Sequence, residues 1–356
     1  MTRVNDPIVI NQTKLRNRLT MAPTVKFDYA GADGKATEKH IEHYRERAAH
    51  GCGLICVEAT AIAPGGRFWK NHMGLWEDAQ IEGHQEIVKA CHENGAAVIL
   101  QINHTGITSN PDCGPAIGPS AVPTRDPSVL SKEMTIDEIH EMQTLFADAA
   151  VRAKKAGYDG IQLHGCHGYL INQFISKKTN LRSDEYGGSD ENRARFAAEI
   201  IREIRNRCGQ DFLISVRTAG VEPDVATAIA VAEEYVKSGC DYLQVSTGIE
   251  WEDPTLAEHE APYNLICEMG IRFHEHFRGR VPVSCVNSIF TPEQIKYLIE
   301  NELVDTVDLG RAILADPAIC EAALDGAPYV KCFDCPRCQY GPGMVHKCPA
   351  EMRRMQ

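Results

Sequence analysis

The chain has 356 residues, enough for one large core, and 37 basic against 49 acidic side chains leave a net charge of −12. That charge repels polyanions, so nucleic acid and anionic membrane surfaces are not expected partners, and small or hydrophobic substrates fit better. The opening residues hold no apolar stretch long enough for export, and no later run reaches the roughly 18 apolar residues of a membrane span, so the expected location is cytoplasmic.

Strand-like runs alternate with helix-like runs about eight times along the chain, the pattern of parallel βα units. The expected strands are residues 19–21, 54–58, 97–102, 160–163, 212–217, 242–245, 282–286 and 306–309. The first ends in Met21-Ala22-Pro23-Thr24-Val25, the second in Val57-Glu58-Ala59-Thr60, and the third carries Gln101. After the third comes an irregular stretch, 103–133, with prolines at 111, 115, 119, 123 and 127. Long loops of this kind inside a domain are usually functional or disordered, and this one is expected over the barrel mouth. A helix then starts at Thr135-Ile-Asp-Glu138, a capping-box pattern, is expected to bury Ile136, Ile139, Met142, Phe146 and Ala149, and stops at Gly157.

The fourth strand, Gly160-Ile-Gln-Leu163, runs straight into His164-Gly-Cys-His167-Gly-Tyr169. Two imidazoles and a phenol thus fall within six residues at a strand end, where parallel α/β proteins place their chemistry. On composition alone this is a hydrogen-bonded loop, a catalytic group or, with Cys166, a metal-like grouping. A second amphipathic helix runs from about Asp190 to Gly209; the fifth strand ends at Arg217, the seventh leads into Val286-Asn287-Ser288, and the eighth into Gly310-Arg311. Backbone amides and a guanidinium there suit a phosphate, and a plain turn with a surface salt bridge is the alternative; asparagine tolerates positive φ. Eight strands without a composition break predict an α/β fold, a single (β/α)8 TIM barrel over residues 1–328. A cysteine-rich segment, 329–356, is expected to pack on it. No internal repeat and no G-x-G-x-x-G occurs, so no separate pyridine-nucleotide domain is expected.

Of fourteen cysteines, ten are scattered through apolar stretches, as buried small hydrophobes would be in a reducing cytosol. The other four, Cys332, Cys335, Cys338 and Cys348, have the spacing C-x-x-C-x-x-C-x9-C. That spacing suits an iron-sulfur cluster of the 4Fe-4S kind, with zinc and unligated thiols as the competing readings.

These motifs, from Leu15-Arg-Asn17-Arg18 through the His164–Asn192 region to Gly310-Arg311-Ala-Ile-Leu-Ala-Asp316-Pro317, resemble those of the old yellow enzyme family of FMN-dependent oxidoreductases. That family includes the barrel domains of 2,4-dienoyl-CoA reductase and trimethylamine dehydrogenase. The resemblance implies an oxidoreductase, an ene-reductase that reduces an enone or enoate with FMN and takes electrons from NADH or NADPH. It places Pro23, Thr24, Val25, Ala59, Gln101 and His164 around the flavin, Arg217 at its pyrimidine edge, and Asn287, Ser288, Gly310 and Arg311 at its phosphate. His164 and His167 become the donors to the carbonyl oxygen and Tyr169 the proton source.

Some positions depart from the pattern. Val25 stands where relatives have a donor to flavin O4 or the cysteine that bonds the flavin covalently, so non-covalent FMN that is harder to reduce is expected. Asn287 and Ser288 replace glycines, and His104-Thr-Gly-Ile107 lacks an arginine seen in relatives. The loop between Ser109 and Ser120, with Phe27, Tyr29, Phe68 and Trp69, is expected to shape the substrate end. The cysteine segment lies where the longer relatives carry their cluster, which there connects FMN with a second flavin domain. Electrons are therefore expected from an electron-donor protein or from NAD(P)H directly, and a homo-oligomer is compatible with the sequence. Competing readings are an amine dehydrogenase, an electron-transfer subunit and a flavin-free barrel aldolase or isomerase.

Overall fold

In the computed structural model, which describes residues 2–257, 259–340 and 347–355, eight parallel strands close on themselves in chain order. They are β1 (Leu19–Met21), β2 (Leu54–Ala61), β3 (Ala97–Asn103), β4 (Gly160–Gly165), β5 (Leu213–Ala219), β6 (Tyr242–Ser246), β7 (Val283–Val286) and β8 (Thr306–Leu309). Closure is made by β8 against β1, with Leu309 beside Met21. Helices α1 (Glu38–Ala49), α2 (Ile81–Glu93), α3 (Ile136–Ala156), α4 (Leu170–Ile175), α5 (Asp190–Cys208), α6 (Val225–Lys237), α7 (Leu265–Phe277) and α8 (Pro292–Glu300) fall between the strands. After β8 come α9 (Arg311–Ala315), α10 (Ile319–Asp325) and α11 (Pro349–Arg354). None of the described helices is long and apolar enough to cross a membrane.

The expected strands are all present, several extended by one to three residues at the mouth. The stop signals lie where the sequence puts them. Thr135 Oγ1 accepts from Glu138 N at 3.2 Å while Glu138 Oε2 accepts from Thr135 N at 3.0 Å, and Gly157 ends α3 at φ 92°. Ile139, Met142, Phe146 and Ala149 are buried as expected; Ile136, in the first turn at the rim, is only half-buried. Of the ten scattered cysteines, nine are buried free thiols and Cys113 is half-buried.

Two ends of the barrel differ in chemistry. At the base an unforeseen antiparallel hairpin, Ile8–Ile10 with Thr13–Leu15, drives Ile10 and Leu15 against Leu54, Cys56, Ile99, Leu213 and Tyr242. Full burial of such side chains contributes about 1.5–3 kcal/mol each, so the base is a sealed apolar plug. Higher up, the interior turns polar. Gln101 Nε2 donates to Gln162 Oε1 at 2.8 Å and Gln162 Nε2 to Ser215 Oγ at 3.3 Å, three residues paired in register on neighbouring strands. Asp308 is buried among Thr20 and Ser284, both of which donate to it, and burial raises its carboxyl above the ordinary range. Desolvated polar groups need partners, so this inner layer is what the open, C-terminal end of the barrel is built on.

The last segment folds back over the start of the chain. Val330 N donates to Asp316 Oδ2 at 2.7 Å, the Lys26 ammonium lies 4.1 Å from the Tyr340 ring centre, and Arg354 pairs with Glu46 at 2.5 Å. Burial, aided by Arg47, lowers Lys26 to about 7.

Candidate active site

The loop that leaves β4 makes a sharp turn because two successive residues, His167 (φ 60°) and Gly168 (φ 74°), are left-handed. Histidine adopts this conformation more readily than most side chains. The turn is fixed from several sides: His167 N donates to Thr247 O at 3.0 Å, Gly168 N to Asn172 Oδ1 at 2.9 Å, and Gln173 Nε2 to Gly168 O at 2.7 Å. Asn172 is itself held by the buried Glu222 at 2.7 Å. The outcome is that His164, His167 and Tyr169 meet at one point of the mouth, with ring centres 4.6 Å apart for His164 and Tyr169 and 5.3 Å for the two histidines.

The rest of the long motif builds this loop rather than adding chemistry. Asn180 Nδ2 donates to the carbonyls of Phe174 and Tyr186, and Arg182 Nη1 to those of Pro119 and Met134. A Cβ on Gly187 would stand 2.2 Å from Arg182 O, so only glycine fits there.

His164 Nε2 lies 3.1 Å from His167 Nδ1, and His167 Nε2 lies 2.7 Å from Ser246 Oγ. In this arrangement the rings bond each other, and only a ligand oxygen between them would meet both as donors. Burial, then His167 and Arg217, pushes His164 well below the usual imidazole range. His167 is lowered to about 3 by the protein around it and by Arg217, and the ring surface that stays open lines the cavity described next. Burial raises the Tyr169 phenol beyond its ordinary value, so it keeps its proton.

A cavity opens beside this group, lined by Pro23 and Thr24 after β1, Arg217 from β5, Asn287 and Ser288 after β7, and Gly310 and Arg311 after β8. Its two ends are positive. At one end Arg217 is buried, its Nε has no partner, and no described carboxylate lies within ion-pair distance of it. At the other end Asn287 (φ 98°) and Ser288 (φ 51°) both have positive φ, which makes a sharp turn after β7. The side chains that replace glycine here are tied in: Ser288 Oγ donates to Asn287 Oδ1 at 3.2 Å and accepts from Arg311 Nη2 at 2.9 Å. Open space surrounds the place a Cβ would take on Gly310. The helix that follows, α9, is too short to add a dipole of weight.

Several expected flavin neighbours stand behind this cavity rather than on its lining. Gln101 and Ala59 are buried, Gln101 on Gln162 and the Ala59 carbonyl on His72 at 2.6 Å; Val25 is half-buried; His164 sits behind His167. The pairing of β2 with β3 shifts register between Val57 and Thr60, around Ala59. Phe27 stacks on Trp69 at 4.4 Å and Phe68 meets Tyr169 edge-on at 4.6 Å, forming one aromatic wall; Tyr29 lies elsewhere, against His40. Ser246, Thr247 and Asp308 also line the cavity and were not anticipated, although strand-end positions were the signal that pointed to the others.

The four C-terminal cysteines line a second cavity, which shares Arg311 and Leu314 with the first. Arg311 also pairs with Asp334, between Cys332 and Cys335. Among the described residues the one trio of ligand-type side chains with all ligand atoms within 4.8 Å is His164, Cys166 and His167. Residues 341–346, between Cys338 and Cys348, lie outside the described residues.

Comparison with known proteins agrees with this fold. A family model described as NADH:flavin oxidoreductase / NADH oxidase matches residues 4–328, ending before Cys332. A structure of 2-naphthoyl-CoA reductase with 2-naphthoyl-CoA is 25% identical with a TM-score of 0.84, over 96% of this chain but only 57% of that one. An old yellow enzyme homologue from Zymomonas mobilis is 28% identical over 93% of this chain and 94% of its own, TM-score 0.78. Morphinone reductase in complex with tetrahydroNAD is 26% identical over 92% of both chains, TM-score 0.77.

Proposed function

Because the chain belongs to the NADH:flavin oxidoreductase / NADH oxidase family, we propose that its barrel mouth holds FMN non-covalently and reduces a carbon-carbon double bond activated by a carbonyl. The observation that carries the reading is the buried, unpaired Arg217 guanidinium facing the same cavity as the positive-φ Asn287-Ser288 turn and Arg311. A buried cation without a carboxylate is costly unless a ligand completes it. The two ends fit the pyrimidine edge and the phosphate of FMN, with Pro23 and Thr24 between them. Val25, Ala59, Gln101 and His164 form the second layer. When bound, the flavin supplies hydride from N5.

The chain's own groups do the rest. His164 and His167 orient the substrate by its carbonyl oxygen and stabilise the charge that develops there. Tyr169 gives its proton to the α carbon, and the aromatic wall of Phe27, Phe68 and Trp69 limits what fits above the ring. NAD(P)H as electron donor is supported by the family and by the nicotinamide analogue in the morphinone reductase complex. Reading His164, Cys166 and His167 as a metal site fits less well, because burial lifts the Cys166 thiol to about 12 and the imidazoles already bond each other.

We also propose that Cys332, Cys335, Cys338 and Cys348 hold one 4Fe-4S cluster that exchanges single electrons with the flavin. The C-x-x-C-x-x-C-x9-C spacing and the one cavity that all four thiols line support the cluster, and the shared wall of Arg311 and Leu314 supports short-range transfer. On this reading the barrel is residues 1–328 and the cluster segment 329–356.

Two outcomes follow. Acid precipitation releases yellow FMN into the supernatant, because Val25 offers no thiol; colour that stays in the pellet, or FAD in the supernatant, contradicts the assignment. The oxidative half-reaction is also flat with pH. His167 titrates at about 3 and His164 below its ordinary range, so both are neutral throughout, while Tyr169, raised above its ordinary value, stays protonated. Stopped-flow rates between about pH 5 and 9 that break near the ordinary histidine value of about 6.5 would show that an imidazolium takes part.

A further inference from the structure

We propose that Ser246 fixes the tautomer of His167, keeping the ring proton on Nδ1 so that His167 is a standing donor to the substrate oxygen. The inference rests on the site reading above and adds a positioning residue to it. Ser246 ends β6; it is buried, lines the flavin cavity, and its Oγ lies 2.7 Å from His167 Nε2. That is its one side-chain hydrogen bond among the described residues. A buried hydroxyl places its proton on an acceptor in reach, and here the acceptor is Nε2.

A neutral imidazole has one N–H, so an Nε2 that accepts leaves the proton on Nδ1. Nδ1 is the atom that faces His164 Nε2 at 3.1 Å, the place where both rings can meet one ligand oxygen. The opposite tautomer would aim a lone pair at that oxygen and turn a donor into a repulsive contact. His164 differs: without a ligand its Nε2 accepts from His167 Nδ1, which leaves its proton on Nδ1, a buried atom with no partner to hold it there when a ligand oxygen calls for Nε2–H. One ring is therefore fixed and the other adapts to what binds.

The backbone holds this pair in register. Gly220 N donates to Ser246 O at 2.7 Å, and the next carbonyl, Thr247 O, receives His167 N at 3.0 Å. Hydroxyl and imidazole are thus carried by two segments joined at their main chains, and the contact does not depend on loop position.

The test uses the FMN-loaded protein, 15N-labelled at histidine, with a simple phenol as a mimic of the enolate oxygen. The expected wild-type spectrum shows His167, assigned by its loss in His167→Asn, with a protonated Nδ1 and an accepting Nε2. Ser246→Ala gives a mixture of tautomers, a phenol dissociation constant about tenfold higher, the scale of one hydrogen bond, and a matching rise in KM for an enone in turnover with dithionite-reduced flavin. Ser246→Thr, which keeps the hydroxyl, restores all three. Unchanged tautomer and phenol affinity in Ser246→Ala overturns the inference. A protonated Nε2 in the wild type does so without any variant. A wild-type protein that carries FMN yet binds no phenol would instead overturn the site reading itself.

Discussion

Replacing Tyr169 by phenylalanine slows the oxidation of reduced enzyme by an enone by about 100-fold or more, the low end of what a positioned general acid contributes. The ring is wedged between His164 and Phe68, each with its ring centre 4.6 Å away, so phenylalanine keeps the packing and removes only the hydroxyl. The backbone of Tyr169 caps α4, a role that phenylalanine preserves. Burial holds the phenol protonated, so the proton is present whenever the α carbon needs it. Flavin reduction by NADH requires no proton from Tyr169 and stays nearly unchanged. Separate stopped-flow measurement of the two half-reactions reads the difference, and an oxidative rate equal to wild type contradicts the role.

Serine at any one of Cys332, Cys335, Cys338 or Cys348 abolishes stoichiometric iron and the broad visible absorption of the anaerobically prepared protein, while FMN stays bound. The separation is built into the two cavities. Arg217, Asn287 and Ser288 belong to the barrel, and the cavity lined by the four cysteines shares only Arg311 and Leu314 with the barrel-mouth cavity. Because Asp334 holds Arg311 from the cysteine loop, FMN affinity drops modestly in these variants, and Asp334→Asn reproduces that drop with the iron retained. Elemental analysis decides: stoichiometric zinc, or neither metal, in the wild type removes the electron-transfer role and leaves the segment a structural staple.

How much of this was legible in the sequence depends on what kind of signal each part leaves. The barrel was legible because eight apolar strands alternate with capped helices, and hydrophobic period and caps are local properties. Both signals pointed to α3, where Thr135 and Glu138 cap each other and Gly157 supplies the left-handed stop. The hairpin at the base was not legible: three residues per strand are too few to show a period, and its apolar residues, Ile10 and Leu15, gain meaning only from the strand bases they cover. Polar strand ends were legible as a class, which is why Arg217 and Arg311 were found. Ser246 and Asp308 were not, since a serine or aspartate there reads as solvated until the closed barrel buries it. The ring-to-ring bond of His164 and His167 needs the two left-handed residues of the loop, a conformation that spacing alone does not encode.

On the proposed reading, hydride passes from NAD(P)H through FMN to an activated alkene. The measurement that tests it most directly is an anaerobic mixing experiment with the purified chain, first with NADH or NADPH and then with a simple cyclic enone. The flavin absorbance is expected to bleach with the nicotinamide and return with the enone, with one saturated ketone formed per flavin reoxidised. A flavin that is reduced but stays bleached over the enone, with the enone recovered intact, would contradict it.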